Sequence, residues 1–263
     1  MSSLQDLFLD IRSGSSEILK GAVEAIRNSM IAGSTDPEEI LVELDALCGA
    51  HPSMAVLRKL NQQLRQDRIT VERLDLWLST YQNHEASACR QFATHLEQYD
   101  TVLVHSNSGL LRLSFQEMRR RIHVFCTESR PAFEGRTLAE ELARHGHRVT
   151  LISDFAAFSV VERVDMLAFG CDALTKIGIV NKIGTSPLAV IGKSGGKDSY
   201  FVATSEKWVD EWDDALLFRQ GAVNQIYAGP ERIRVENFYF DLTPPELVAG
   251  LFLENGAAKE MYQ

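Results

Sequence analysis

Residues 169–185 read FGCDALTKIGIVNKIGT. Asp172 closes an apolar run, and Asn181-Lys182 return shortly afterwards, just ahead of Gly184-Thr185. A carboxyl group at the foot of a pocket loses hydration. Its pKa rises, so it can hold a proton near neutral pH and donate it. Gly184-Thr185 reads as a helix start, whose unpaired N–H groups and partial positive charge favour anions. Lys182 beside it adds charge suited to phosphate. Each residue also has an ordinary reading: an Asp after a strand commonly caps a helix, and a single lysine is usually solvated. The combination points to a small anionic ligand beside a proton donor.

Other chemistry-bearing residues are scattered along the chain. Glu128 and Arg130 precede Pro131 in CTESRPAFEGRTLAEEL, either as an ion pair that fixes a loop or as ligand contacts. Arg12 precedes Gly14-Ser15-Ser16, where small residues with open N–H groups could cradle phosphate, although a lone arginine there also suits the surface. The stretch IGKSGGKDS is not a P-loop. Ile191 stands where the first glycine is required, Asp198 replaces Ser or Thr, and the order is helix then strand. His145-Gly146-His147 has no nearby third ligand and reads as a surface turn.

The elements that must position these groups follow from periodicity. Up to about residue 98 the chain reads as helical, with Ile18, Ala22, Ala25, Ile26 and Met30 near helical spacing. Asp36, Pro37 and Glu39 form a start signal of N-cap, first-turn proline and capping-box acid. Met54, Leu57, Leu60 and Leu64 make another stripe, and a long helix runs from Val71 to Tyr99. The pattern then changes. TVLVHS, RIHVFCTES, HRVTLISD, RVDMLAFGCD and SYFVATSE are short strand-like runs, separated by the helical segments GLLRLSFQEMRR, FEGRTLAEELARHG and TSPLAVIGKSGG. Alternation of this kind predicts an α/β fold with a mostly parallel sheet. Ligands bind beyond the carboxyl ends of such strands. Those ends carry His105-Ser106-Asn107-Ser108, Thr127 to Arg130, Asp154, Asp172 and Thr204 to Lys207.

Bulk properties narrow the function. The chain has 263 residues and a formal net charge of -9, which argues against nonspecific binding to nucleic acid or anionic membrane. Cys48, Cys89, Cys126 and Cys171 form no CxxC pair, so zinc and thioredoxin-type chemistry are not expected. The start MSSLQDLFLD lacks the apolar stretch of a signal peptide, and no run approaches the roughly 18 apolar residues of a membrane helix. A reducing, cytoplasmic setting is expected, with no cofactor and no metal.

Taken together, HPSMAVL, LVHSNSG, ESRPAFEGRTLAEEL, ISDFAA, FGCDAL, NKIGT and FDLTPPELV resemble one family. It comprises the alpha, beta and delta subunits of translation initiation factor 2B, ribose-1,5-bisphosphate isomerase and methylthioribose-1-phosphate isomerase. The resemblance covers nearly the whole chain and is strongest over residues 101–250. It implies a helical N-terminal domain, 1–98, and a Rossmann-like α/β domain, 99–263. The isomerases convert a cyclic sugar 1-phosphate into a 1-phosphorylated ketose. By resemblance, Asp172 is the proton donor toward the ring oxygen. Asn181 and Lys182 touch substrate, Lys207 reaches a phosphate, and Arg12 with Ser13, Gly14 and Ser15 falls on a phosphate loop. Ser108 holds the ligand, and His51 stands at the start of HPSM where the isomerases have Arg-Pro. Arg130 is a further candidate contact.

One departure bears on turnover. The isomerases carry a cysteine in the loop after the first strand, and this chain has Ser106 there. A thiol near pKa 8.5 readily supplies a base, whereas a serine hydroxyl needs a neighbouring one. The leading expectation is therefore a protein that binds a phosphorylated sugar, or a nucleotide-derived small molecule, without efficient catalysis. An active aldose–ketose isomerase, with Asp172 as acid and Ser106 or a water in the base role, is the second reading. A structural subunit associated with translation-factor subunits is the third. Relatives associate through the Rossmann-like domain, which implies a homodimer.

Overall fold

The computed structural model describes residues 4–10, 13–33, 36–66, 69–230 and 232–258. Five helices come first: α1 (Leu4–Phe8), α2 (Ser15–Ala32), α3 (Pro37–Ala50), α4 (Ala55–Gln66) and α5 (Val71–Leu96). The start of α3 is built as its sequence indicates. The Asp36 carboxylate accepts from Glu38 N at 2.8 Å, and Glu39 reaches back to Asp36 N at 3.4 Å. Ile18, Leu19, Ala22, Val23 and Ile26 of α2 are fully buried and pack with Leu44, Leu47, Leu57, Leu60, Leu74 and Tyr81. The helix-period spacing of these apolar residues is what lets the helices share one core.

The rest alternates strands and helices: β1 (Thr101–Val104), α6 (Gly109–Glu117), β2 (His123–Thr127), α7 (Glu134–Arg144), β3 (Arg148–Ile152), α8 (Ala157–Val160), β4 (Met166–Phe169), β5 (Ala173–Thr175), β6 (Gly178–Lys182), α9 (Thr185–Ser194), β7 (Asp198–Val202), β8 (Phe240–Thr243), β9 (Gly250–Leu253) and β10 (Gly256–Ala257). Seven strands form one sheet in the order β10-β9-β7-β4-β1-β2-β3, parallel except for the terminal β10. The fold class is α/β, as the alternation predicts.

Strand residues point alternately to the two faces. Val102, Val104, Val124, Cys126, Met166 and Ala168 meet α5, α6 and α7 on one face. Leu103, Phe125, Leu167, Phe169 and Phe201 meet α8 and α9 on the other. Burial on both faces explains why the central strands β1 and β4 are almost wholly apolar. Helix α5, roughly 39 Å long at 1.5 Å per residue, contributes Leu74 and Tyr81 to the helical core and Phe92 and Leu96 to the sheet core.

Three features depart from the sequence reading. A second, antiparallel sheet of order β5-β6-β8 places Asn181 and Lys182 inside a strand, not merely ahead of a helix. Its strands of 3 to 5 residues are too short for alternation to announce. The long helix stops at Leu96 rather than Tyr99. His147 is no surface group. It is buried, its Nε2 lies 3.1 Å from the Phe115 carbonyl, and its Nδ1 accepts from Ile122 N.

Candidate functional site

Strand β1 has β2 on one side and β4 on the other, so the chain reverses its direction of travel across the sheet there. In open α/β sheets the crevice beyond such a switch point is where ligands bind. A cavity of about 410 Å³ lies there, lined by Ser106 to Gly109 after β1 and by Cys171 and Asp172 after β4. Gly170 lets the two strand ends approach. A Cβ on it would lie 2.3 Å from the Ser108 side chain.

Each wall of the cavity comes from a different element. Gly14, Ser15 and Ser16 open α2, and Ser108 and Gly109 open α6. The two helix starts are held together by Arg112 of α6, which pairs with Glu17 of α2 at 2.6 Å. Ser16 is tied to Tyr81 of α5 at 2.7 Å. Two N-terminal turns face one cavity, and helix N-termini favour anions, although Glu17 already accepts from Gly14 N at 3.3 Å. Residues 216–225, together with Tyr239 and Phe240, close the outer side through Leu216, Arg219, Gln220 and Gln225.

Ten of the twelve residues singled out from sequence line this one cavity: Ser13, Gly14, Ser15, His51, Ser106, Ser108, Asp172, Asn181, Lys182 and Lys207. Arg12 lies outside the described residues. Arg130 lines a neighbouring cleft with Pro131, Ile183, Ile226 and Asn237. Its guanidinium donates to the Gln225 carbonyl at 3.0 Å and lies over the Phe133 ring. Of the two readings of Glu128 and Arg130, the ion pair does not form: Glu128 pairs with Arg136 at 2.7 Å. Asp154 fixes the Ser129-Arg130 turn instead, accepting from both backbone N–H groups at 2.7 Å.

Asp172 caps no helix. Its N–H donates to Val180 at 2.9 Å and its carbonyl accepts from Ala55 N, the start of α4. The carboxyl faces the cavity but is enclosed by dense protein. Burial pushes it above the ordinary carboxylate range, against the opposing pull of Lys207, a Ser15 hydrogen bond and Lys182. No cation among the described residues comes within ion-pair distance of it. Asp172 is thus an enclosed acid at the cavity wall whose surroundings favour the protonated form more than water does.

The Lys207 ammonium is 2% exposed and donates to the Cys171 carbonyl. No described carboxylate pairs with it. A buried ammonium without an anion is costly, so an anionic ligand is the natural complement. Lys182 is also buried, but it is engaged: its Nζ lies 2.7 Å from Glu134 Oε1 and over the Tyr239 ring. Asn181 donates to Thr185 Oγ1 at 3.0 Å. His51 is held below its ordinary range by burial, although its Nε2 meets the Leu7 carbonyl at 2.7 Å. It enters the cavity as a neutral ring rather than a cation.

Ser106 has a left-handed backbone, φ 71°, as do Ser129 (62°) and Phe133 (62°). Non-glycine residues in this region cluster at functional turns. The Ser106 N–H is pinned by Ser129 Oγ at 2.8 Å, and its hydroxyl lies 3.2 Å from Glu134 Oε1. Glu134 escapes the sequence reading. An acid in the first turn of a helix is ordinary, and nothing local marks it as buried. The one local hint is Gly135, where a Cβ would lie 2.0 Å from the Thr127 carbonyl. That close approach presses the start of α7 onto the end of β2. Cys171 borders the cavity, but burial pushes its thiol upward, so it keeps its proton. His105 is buried, satisfied by Thr127 and the Ile183 carbonyl at 2.7 and 2.8 Å.

The start of α9 does not serve as the anion site its sequence suggests. Gly184 and Thr185 lie outside the cavity lining, and Asp241 of β8 accepts from Gly184 N at 2.7 Å and Ser186 N at 3.2 Å. An internal carboxylate already occupies that helix end. Burial pushes the Asp241 carboxyl up to about 7, against those two bonds. A carboxyl whose folded pKa is raised contributes stability below its unfolded pKa and loses it as pH rises through the folded value. Between about pH 4 and about pH 7, its contribution falls with rising pH. Asp241→Asn is therefore expected to flatten the decline in melting temperature across that window, as thermal melts of both proteins would show.

The sheet order and the strand–helix alternation define a Rossmann-like α/β protein. The initiation factor 2 subunit family matches residues 10–260, and the chain belongs to that family. It is 28% identical over 211 residues to the ribose 1,5-bisphosphate isomerase of Methanocaldococcus jannaschii, covering 76% of this chain and 68% of the relative. It is 31% identical over 202 residues to the methylthioribose-1-phosphate isomerase of Rhodopirellula baltica, covering 65% and 57%. Its fold is shared with the translation initiation factor eIF-2B of Pyrococcus horikoshii OT3, at a TM-score of 0.84 and 24% identity, over 97% of this chain and 94% of that one. Among the described residues, no helix is long and apolar enough to cross a membrane.

Proposed function

We propose that the chain binds a sugar 1-phosphate in the switch-point cavity. The phosphate faces Lys207 and the first turns of α2 and α6, and the ring oxygen faces Asp172. The observation that carries this reading is Lys207, a buried ammonium with no carboxylate partner among the described residues, beside the Asp172 carboxyl group. The cavity volume falls in the range of small-molecule sites. The relatives' substrates make ribose 1,5-bisphosphate the first ligand to test, with methylthioribose 1-phosphate second. A homodimer belongs to the same reading, and light scattering tests it.

The test is a thermal melt with each phosphosugar. A ligand at a hundredfold excess over its dissociation constant adds about 2.7 kcal/mol of stability, a shift of several degrees. A melting temperature unmoved by either sugar would contradict the reading and favour a structural subunit. Co-purification with translation-factor subunits would then support that alternative.

A second reading, turnover, is favoured by a carboxylate placed against Ser106. Ring opening breaks the C1–O4 bond as Asp172 gives its proton to the ring oxygen. Removal of the C2 proton forms a C1=C2 enol phosphate. Return of a proton to C1, and passage of the C2 hydroxyl proton to the Asp172 carboxylate, leave a 2-ketose with phosphate still on O1. Substrate and product are isomers, so no oxidant or reductant is consumed.

A further inference from the structure

We infer that Glu134 is the catalytic base of this site, taking the C2 proton of the bound sugar 1-phosphate and returning it to C1. The inference rests on the binding proposed above. Four observations on unconnected parts of the chain carry it.

Glu134 lines the same cavity as Asp172, although it stands on α7 and is 6% exposed. Its Oε1 is held on two sides, by Lys182 Nζ at 2.7 Å from β6 and by Ser106 Oγ at 3.2 Å from the loop after β1. Its Oε2 is buried and has no hydrogen-bond partner. A buried carboxylate oxygen left unpartnered is costly unless something completes it. A substrate proton would complete this one.

The two acids divide the work by their surroundings. Glu134 has a contact ion pair, which favours its charged form. Asp172 has none among the described residues, which favours its neutral form. Burial pushes both carboxyl groups upward, and what distinguishes them is the partner: a cation in contact with one and none with the other, the kind of difference that separates a base from an acid. The charged or titratable groups facing Glu134 are Lys182 from β6 and Tyr239 from the segment before β8. On its own helix, Arg136 is turned away to Glu128. Burial pushes the Glu134 carboxyl upward while Lys182 pulls it down, leaving a base stronger than an exposed carboxylate. Ser106 then needs no ionisation of its own. It orients Glu134, and the position that holds a thiol in the isomerases becomes a support for a base on the neighbouring helix.

The test compares conversion with binding. Wild-type protein is given ribose 1,5-bisphosphate and methylthioribose 1-phosphate, and ketose formation is followed alongside the ligand-induced melting shift. Glu134→Gln keeps the size of the side chain and removes the base. It is expected to retain the melting shift and lose about 100- to 10,000-fold in kcat. In the wild-type profile, kcat/KM falls on the acid side as Glu134 takes up a proton and on the alkaline side as Asp172 loses one. Glu134→Gln removes the acid limb, which a merely structural role would leave in place. Adding Ser106→Cys to Glu134→Gln supplies a thiol at the adjacent position and is expected to restore conversion.

Wild-type rates in Glu134→Gln would overturn the inference. So would a wild-type protein that shows the melting shift with a sugar yet converts neither, and that result would leave the binding proposal standing. If neither sugar shifts the melt, the binding proposal fails and this inference falls with it. If Glu134→Gln does not fold, Glu134→Asp carries the test: it keeps the carboxylate but draws it back from the sugar, so kcat should fall while the melting shift persists, and a wild-type kcat would overturn the inference.

Discussion

Asp172→Asn is expected to abolish conversion of the sugar phosphate, by about 100- to 10,000-fold, while the melting shift on ligand addition persists. The amide keeps the shape and can still meet Ser15, but it has no proton to give to the ring oxygen. The same substitution should raise the melting temperature of the unliganded protein at neutral and alkaline pH. Burial lifts the folded pKa of Asp172 above its ordinary value. The contribution of this group is therefore present below the unfolded pKa and lost as pH rises through the folded one. An amide does not titrate, so the gain should be largest at pH 8 and close near pH 4. Kinetics paired with melts at both pH values check both halves. Turnover at the wild-type rate in the Asp172→Asn variant would remove Asp172 from the acid role.

Lys207→Met should weaken phosphosugar binding by about 30-fold or more. Losing one partner of a buried charge pair costs about 2 kcal/mol or more, and tenfold in affinity corresponds to about 1.4 kcal/mol. Methionine matches the length of the stem without the ammonium. The effect should exceed that of Lys193→Met on α9, an exposed lysine whose ammonium only meets the Glu246 carbonyl at 2.9 Å. Calorimetric titration of the two variants measures the contrast directly. Equal affinities in both would show that the buried ammonium does not receive the phosphate.

The two substitutions bear on a site that is partly legible in the sequence. Strands such as TVLV and HVFCT, buried on both faces, declare themselves as short apolar runs, and their polar ends mark the ligand face. Asp172, Lys182 and Lys207 are readable because a charged residue beside an apolar run demands a reason. The small sheet is not: GIVNK is only five residues long and lies directly before a helix. The wall built from residues 216–225 has no periodicity to read.

Two misplacements have a common cause. The start of α9 looks open to phosphate, but Asp241, distant in sequence, caps it. Glu128 and Arg130 look like partners, but the turn at Ser129 and Phe133 sends them apart, Glu128 to Arg136 and Arg130 to Gln225. In each case the deciding contact is non-local. Glu134 is the same lesson in reverse. Its sequence context is an ordinary first-turn acid, and its meaning comes from Lys182 and Ser106, which reach it from two other elements.

The most direct measurement is a crystal structure of the protein soaked with ribose 1,5-bisphosphate. The account predicts a phosphate against Lys207 Nζ and the first turns of α2 and α6, with the sugar ring between Asp172 and Glu134. Sugar density in the cleft beside Arg130, or an empty switch-point cavity at saturating ligand, would contradict it.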